Sequence, residues 1–370
     1  MQAQTRQQMG GVYYAYPEGP SAKTGTFGAA TYVMSDSLNV PQGYAPFYIS
    51  HYGRHGSRWM PKDDRYVWIC KHFEDESNLT PLGLQVKGML QRVWENARGN
   101  GGKLSKLGAL QHQGIAHRMF ERYPQIFAVG NAVKARSSVV DRCAKSMQAF
   151  TSELHTLQPG LNLDVKTDSA DMAWIAYVSP EVKALENRTH VQAQVSPRRF
   201  LLQLFKDVSK VDEPLKLMTE MHTVASSIQD VGLNFSSYPQ DIEDGLNALF
   251  TDAEFRAIYD ANNLRMTINN GTVATNEDIP ARSAISLWQN IEAEADRALR
   301  SVKSSATLRF GHDTALYRLL SLLFDVNVPP VGAREEASLV VLGDEMEKMD
   351  RVVPMAANLQ MIFYKNAKDS

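Results

Sequence analysis

Two periodicities divide this chain. Short runs rich in aromatic and β-branched residues suit buried strands, and they occur at 47–49, within 126–138, at 307–310 and at 359–364. Elsewhere apolar residues recur at helical spacing. Asp63-Asp64 begin a short helix ending near His72. Thr80-Pro81 start a longer one carrying Val86, Met89, Leu90, Val93, Trp94 and Ala97, and Gly99-Asn100-Gly101-Gly102 stop it. Ser105 caps a third, which ends before Pro124, and a fourth starting near Ser138 gathers Val140, Cys143, Met147, Phe150 and Leu154 on one face. From 166 to 298 helical patterns take over, at 180–194, 198–210, 213–230, 241–250 and 285–302, and one more follows at 314–324. This order predicts an α/β fold. A mixed central sheet flanked by helices, built from 1–165 and 299–370, carries an inserted all-helical cap, 166–298. Residues 9–46, rich in Gly, Pro, Tyr and Ser, read as an irregular arm, and 365–370 as turn residues.

Chemistry collects where one period gives way to the other. Gly53 and Gly56 break the first strand run, so Arg54-His55-Gly56-Ser57-Arg58 becomes a loop at a strand's carboxyl end, where open α/β sheets bind ligands. Guanidinium forks match phosphoryl oxygens and stay charged, which suits Arg54 and Arg58 to a phosphate. An imidazole between fixed positive charges is held neutral and able to attack phosphorus, which makes His55 the candidate nucleophile. Arg136, followed by two serines at a strand-to-helix junction, offers a third guanidinium beside the N–H groups of a helix start. Gly311-His312-Asp313 repeats the strand, loop and helix order. His312 can donate to phosphoryl oxygens and Asp313 can protonate an alkoxide leaving group. Blander roles stay open for each: a solvated basic turn, a surface salt bridge at Arg136, a helix cap at Asp313, a packed core residue at His312. Lys62, Arg65, Lys134 and Arg142 are candidates for a basic rim around a highly phosphorylated substrate.

Composition narrows the classes. With 370 residues, 44% hydrophobic and 22% charged, the chain can bury a large core. A net charge of −2 gives no overall basic field, which argues against nucleic acid or an acidic membrane surface as partner. No run approaches the ~20 apolar residues of a membrane span. Met1 and the polar Gln2 to Gln8 read as a mature N-terminus with an added start methionine, which leaves room for a removed secretion signal and a periplasmic or secreted location. Cys70 and Cys143 fit buried thiols and one disulfide equally well. His112 and His117, five apart, do not share a helical face, and no H-x-H or H-E-x-x-H motif is present, so no metal is expected.

The two loop motifs resemble the signatures of the histidine acid phosphatase branch (clade 2) of the histidine phosphatase superfamily. Residues 104–127, 133–150 and 351–366 are also similar to bacterial enzymes of the multiple inositol polyphosphate phosphatase and phytase type. This resemblance implies a phosphoglycerate-mutase-like α/β core with a helical insertion and a covalent phosphohistidine on His55. It implies phosphate held by Arg54, Arg58, Arg136 and His312, with Asp313 as proton donor and no cofactor. The substrate class it implies is a small phosphomonoester, with inositol hexakisphosphate foremost and a broad-specificity acid phosphatase as the alternative. A phosphomutase or a non-catalytic phosphate binder ranks below both. The chain departs from that type where inositol polyphosphate phosphatases carry His-Ala-Glu: it reads His312-Asp313-Thr314, which resembles the form in other acid phosphatases and bacterial phytases. Family members also continue past the last strand, so a truncated chain with an exposed sheet edge is a further expectation.

Overall fold

The computed structural model describes residues 5–16, 21, 23, 40, 42–273, 275–323 and 349–366. Its strands are β1 (Tyr44–Arg54), β2 (Ala132–Ser137), β3 (Asn162–Thr167), β4 (Ser305–Gly311) and β5 (Asn358–Asn366), and they form one sheet in the order β3-β2-β4-β1-β5. Neighbours from β3 through β1 pair in parallel, and β5 closes the described sheet antiparallel to β1. β1 and β4 are buried along nearly their whole length, which is why they read as continuous apolar runs rather than alternating ones.

Register brings distant motifs together. Arg54 lies opposite Gly311, and Ser137 lies opposite Phe310, so β1, β4 and β2 end side by side. Two strands separated by some 250 positions in sequence thereby deliver their loops to one crevice.

Helices Lys106–Arg122 and Asp141–Leu157 cover one face of the sheet. Ile115, Met119, Phe150 and Leu154 pack there against Ile49, Val133, Ala135, Leu308 and Phe310. Helices Ile285–Leu299 and Asp313–Leu323 contact β1 from the other side, and their Leu287, Ile291 and Leu316 share a second cluster with Tyr52 and Ile175. Every described element between β3 and β4 is helical. Helices Asp63–Lys71 and Pro81–Ala97 join that helical body, since Tyr66, Val86 and Leu90 belong to the same buried cluster as Leu204, Leu217, Met221 and Leu246. Each such side chain contributes roughly 1.5–3 kcal/mol of apolar burial, so the two helices are bound firmly to the insertion.

Several boundaries differ from the sequence expectation, each for a tertiary reason. The strand in 126–138 begins only at Ala132; Ile126 and Phe127 reach the core from turn backbone. β3 was not anticipated, because it is an edge strand with no buried face to impose alternation. Helix Asp252–Asn270, started by a full capping box at Thr251 and Glu254, also escaped the periodicity reading. Helix Arg198–Leu204 stops short of 210 because Phe205 pairs as an isolated bridge with Leu79. Helix Pro180–Arg188 stops short of 194, where Thr189 Oγ1 donates to the Leu185 carbonyl at 2.8 Å. Within the arm, Gln8–Tyr13 is a 3-10 helix, and most of 17–41 lies outside the described residues. Lys365 and Asn366 still belong to β5; 324 and 367–370 also lie outside them. Cys70 and Cys143 are free thiols, not a disulfide.

Candidate active site

The loop after β1 is held by backbone close to backbone. A Cβ on Gly56 would collide with the Gly108 carbonyl, and one on Gly108 with the Ser57 carbonyl, so only glycine at both sites lets helix Lys106–Arg122 seat its first turn on the loop. Ser105 caps that helix by accepting from Gly108 N–H at 3.2 Å, and its own N–H and hydroxyl donate to the Ser57 carbonyl at 2.9 and 3.0 Å. Ser57 N–H donates to Gln111 Oε1 at 2.9 Å, and Gly56 N–H to Ser146 Oγ at 3.1 Å. Loop and sheet are joined where His55 N–H donates to the Gly311 carbonyl at 3.0 Å.

His55 is buried, and its Nδ1 lies 2.9 Å from the Gly56 carbonyl. A carbonyl only accepts, so Nδ1 carries the proton and the Nε2 lone pair is left free. Burial first, then the charges of Arg54, Arg58 and Arg142 and the ring of His312, holds its pKa well below that of an ordinary histidine. The His312 ring stands nearly perpendicular to it at 5.8 Å between centroids. His312 Nε2 lies 3.1 Å from Ser138 Oγ and its Nδ1 3.5 Å from Arg142 Nη2. Burial and then Arg142 push its pKa down to about 4.

Arg54 is fully enclosed. It donates to the Val353 and Val12 carbonyls at 2.5 and 2.9 Å and pairs with Asp313 at 3.1 Å. Asp313 keeps 19% of its side-chain surface, opens helix Asp313–Leu323 and accepts from Thr314 N–H at 2.9 Å. Burial raises its pKa, but Arg54 and Arg58 outweigh that and leave it below the ordinary carboxylate value. Arg58 donates to the Trp59 carbonyl at 2.8 Å and has the Tyr13 ring 5.3 Å from its guanidinium carbon. Behind the loop, the buried Asp230 of helix Pro214–Val231 accepts from Ser57 Oγ at 2.5 Å, and Gln111 Nε2 donates to that hydroxyl at 2.9 Å.

The structure therefore brings together Arg54, His55, Arg58, His312 and Asp313, and adds Arg142. It does not bring Arg136. The sequence reading put Arg136 in the pocket and Arg142 on the rim; instead the Arg136 guanidinium faces β3, pairing with Asp164 at 2.6 Å and lying 3.9 Å from Asp171, because strand alternation turns it away from the loop side. Lys134, two residues earlier on the same face, pairs with Glu294 at 2.9 Å. Arg65 is paired with Glu220, and Lys62 is exposed at the N-cap of helix Asp63–Lys71. His112 packs in the core against Phe310, His117 pairs with Glu121 and Glu153, and among the described residues no group of three or more His, Cys, Asp or Glu is arranged to hold a metal ion. Tyr13, Gly108, Gln111, Ser146 and Asp230 lie in no motif of the sequence, and Ser105 and Ser138 were legible there only as a helix cap and as part of a strand-to-helix junction.

Beside this cluster a cavity of ≈ 320 Å³ opens between Tyr13 and Thr314 on one side and Arg65, Thr223, Asn262 and Arg265 on the other. The assembly presents an imidazole nitrogen with a free lone pair, three guanidinium groups, a second imidazole and a carboxyl group close together, with a cavity next to them.

Residues 53–370 match the model of the histidine phosphatase superfamily (branch 2). Over 275 residues, 71% of this chain, it is 23% identical to multiple inositol polyphosphate phosphatase 1 of Gallus gallus, and spans 59% of that protein's length. The fold is shared with the multiple inositol polyphosphate phosphatase of Bifidobacterium longum solved with inositol hexasulfate (TM-score 0.71, 17% identity, 96% of this chain and 88% of that one). It is shared too with the phytase from D. castellii (TM-score 0.63, 13% identity, 98% and 76%).

Proposed function

Since the chain belongs to branch 2 of the histidine phosphatase superfamily, we propose that it hydrolyses phosphate monoesters through a covalent phosphohistidine on His55. The observation that carries this reading is the orientation of His55: Nδ1 anchored on the Gly56 carbonyl, Nε2 free, the ring kept neutral by burial and by the surrounding arginines. Arg58, Arg142 and His312 bind the phosphoryl oxygens, with Arg142 taking the role that the sequence reading assigned to Arg136. Arg54 holds Asp313 in place.

In the first step Nε2 forms a bond to phosphorus in line with the leaving oxygen, the P–O ester bond breaks, and Asp313 gives its proton to the departing alkoxide. In the second step water attacks phosphorus, its proton passes to Asp313, and the P–N bond breaks to release phosphate and restore the imidazole. Asp313 must be protonated for the first step, although Arg54 and Arg58 favour its ionised form. A bound phosphate monoester offsets those same charges, so substrate binding itself raises the carboxyl pKa toward the donor range. Three guanidinium groups supply the charge stabilisation, and no step calls on a metal.

The helical body serves as the substrate cap, and the cavity beside Thr314 receives the rest of the molecule. The polar side chains in its lining, Thr223, Asn262, Arg265 and Thr314 among them, favour a phosphorylated polyol, with inositol hexakisphosphate as the leading substrate. One observation favours a broader acid phosphatase: Arg65 and Lys134 are already paired with Glu220 and Glu294, which leaves the basic rim poorer than a six-phosphate substrate calls for. We propose a location in the periplasm or outside the cell. Among the described residues no helix is long and apolar enough to cross a membrane.

The test is alkaline-quench trapping of the phosphoenzyme with labelled substrate, in chelator, beside phosphate release from inositol hexakisphosphate and nitrophenyl phosphate. An acid-labile, base-stable adduct absent from His55→Ala is expected. Turnover that persists in His55→Ala would overturn the mechanism, and release from nitrophenyl phosphate alone would favour the broader enzyme.

A further inference from the structure

The arm to which the sequence assigned no chemistry enters the arginine cluster. Val12 O accepts from Arg54 Nη2 at 2.9 Å, and the next residue, Tyr13, lies with its ring 5.3 Å from the Arg58 guanidinium carbon. Tyr13 is 7% exposed, so it belongs to the interior of the site rather than its rim. Arg58 otherwise has one hydrogen bond, to the adjacent Trp59 carbonyl, and its Nε finds no acceptor among the described residues. A guanidinium tethered at one local carbonyl is free to swing; an aromatic face fixes its position while sparing the N–H edges for phosphoryl oxygens. Burial opposes the charge of Arg58, yet the Tyr13 hydroxyl, Asp313 and Asp230 outweigh it and raise its pKa.

The segment that carries Tyr13 is pinned at both ends. Arg6 donates to Asp252 at 2.7 Å and to the Phe250 carbonyl at 2.9 Å. Gln229 Nε2 donates to the Gln7 carbonyl, and Gln229 Oε1 accepts from Ala15 N–H, both at 3.2 Å. The Tyr14 carbonyl accepts from Met355 N–H at 2.8 Å, beside the strand that follows. Gly11, at φ 62°, makes the bend that turns Val12 and Tyr13 inward, and a side chain there would also strike Met349.

We propose that Tyr13 is a positioning residue of the phosphate site: it holds the Arg58 guanidinium where the phosphoryl group is received, and the anchored segment 6–16 links that position to the helical body. This rests on the phosphatase reading for the identity of the anion.

The experiment measures inorganic phosphate binding by calorimetry, nitrophenyl phosphate kinetics and melting temperature on the full chain, for wild type, Tyr13→Phe, Tyr13→Leu and Arg6→Ala. Tyr13→Leu is expected to raise phosphate Kd and KM about tenfold with a smaller change in kcat. Tyr13→Phe keeps the ring and is expected to recover most of that loss. Arg6→Ala, which loosens the segment far from the arginines, is expected to shift Kd in the same direction at a nearly unchanged melting temperature. Wild-type Kd in a folded Tyr13→Leu overturns the proposal. So does a loss shared equally by Phe and Leu that tracks melting temperature. Where Tyr13→Leu does not fold, an unchanged Kd in Arg6→Ala overturns it and a raised one supports it. Failure of the phosphatase reading looks different: wild type itself would neither bind phosphate nor release nitrophenol, and both conclusions would fall together.

Discussion

Asp230→Asn is expected to stabilise the protein at pH 8 and to leave it nearly unchanged at pH 4. Asp230 is fully buried, accepts from Ser57 Oγ through Oδ1, and has no partner for Oδ2 among the described residues. Burial pushes its pKa from 3.8 up to about 8, against the opposing pull of the Ser57 hydrogen bond and of Arg58 and Arg54. Between those two values the unfolded chain has lost the proton and the folded chain keeps it, so the unfolded state binds fewer protons and stability falls as pH rises. The contribution is fully present below the unfolded value and lost through the folded one. Roughly four pH units at about 1.4 kcal/mol each set a ceiling near 6 kcal/mol, and relaxation of the site brings the expected loss to a few kcal/mol. Asparagine copies the protonated acid, keeping the acceptor for Ser57 and a nitrogen where the hydroxyl would be, and it cannot ionise. Urea unfolding of both proteins from pH 4 to 8 reads the difference. A stability gap that does not widen with pH would refute the reasoning. A variant less stable than wild type at pH 8 would show instead that Asp230 is an ionised partner of Arg58 and Arg54.

Three further outcomes are expected. Arg142→Ala should lower kcat/KM for nitrophenyl phosphate by about 10²-fold, while Arg136→Ala, which loses an ion pair at the edge of the sheet, should stay within about threefold; the reverse order would return Arg136 to the site. Asp313→Asn should slow poor alcohol leaving groups far more than nitrophenyl phosphate, whose phenolate departs without a proton, and equal losses would remove Asp313 as donor. The acid limb of kcat/KM should lie near or below pH 4, because His312 titrates at about 4 and His55 is also held well below its ordinary value, so both rings stay neutral in mild acid. A limb near 6.5 would mean that burial and the arginines do not act on His55 as the geometry requires.

Much of the site was legible because its strongest signals are local. Arg54-His55-Gly56-Ser57-Arg58 and Gly311-His312-Asp313 each sit where an apolar run stops, and glycine, charge and imidazole within a few residues are readable without knowing what lies opposite. The strand and helix at each motif follow from periodicity, as do the helix starts at Thr80-Pro81 and Ser105. Elements without a one-sided apolar pattern were missed, the edge strand β3 among them, and helix ends set by distant pairing, such as Phe205 with Leu79, were misplaced.

The choice between Arg136 and Arg142 shows where local reading stops. Both are arginines near the same strand-to-helix junction, and sequence favours the one at the strand end. Which of them meets His55 depends on strand alternation, which aims Arg136 at Asp164, and on the first turn of the following helix, which aims Arg142 at His312. Tyr13 and Asp230 are a stronger case still, since nothing in their neighbourhoods marks them as chemical. Tyr13 reaches Arg58 across 45 positions, and Asp230 reaches Ser57 across 173. The sequence alone determined that a histidine would stand among arginines at a strand end, because that needs only residue identity and a local break in pattern. Tertiary structure decided which arginine, which tyrosine and which buried acid surround it, because charge and hydrogen bonding act over ångströms in space, and chain separation carries no information about those distances.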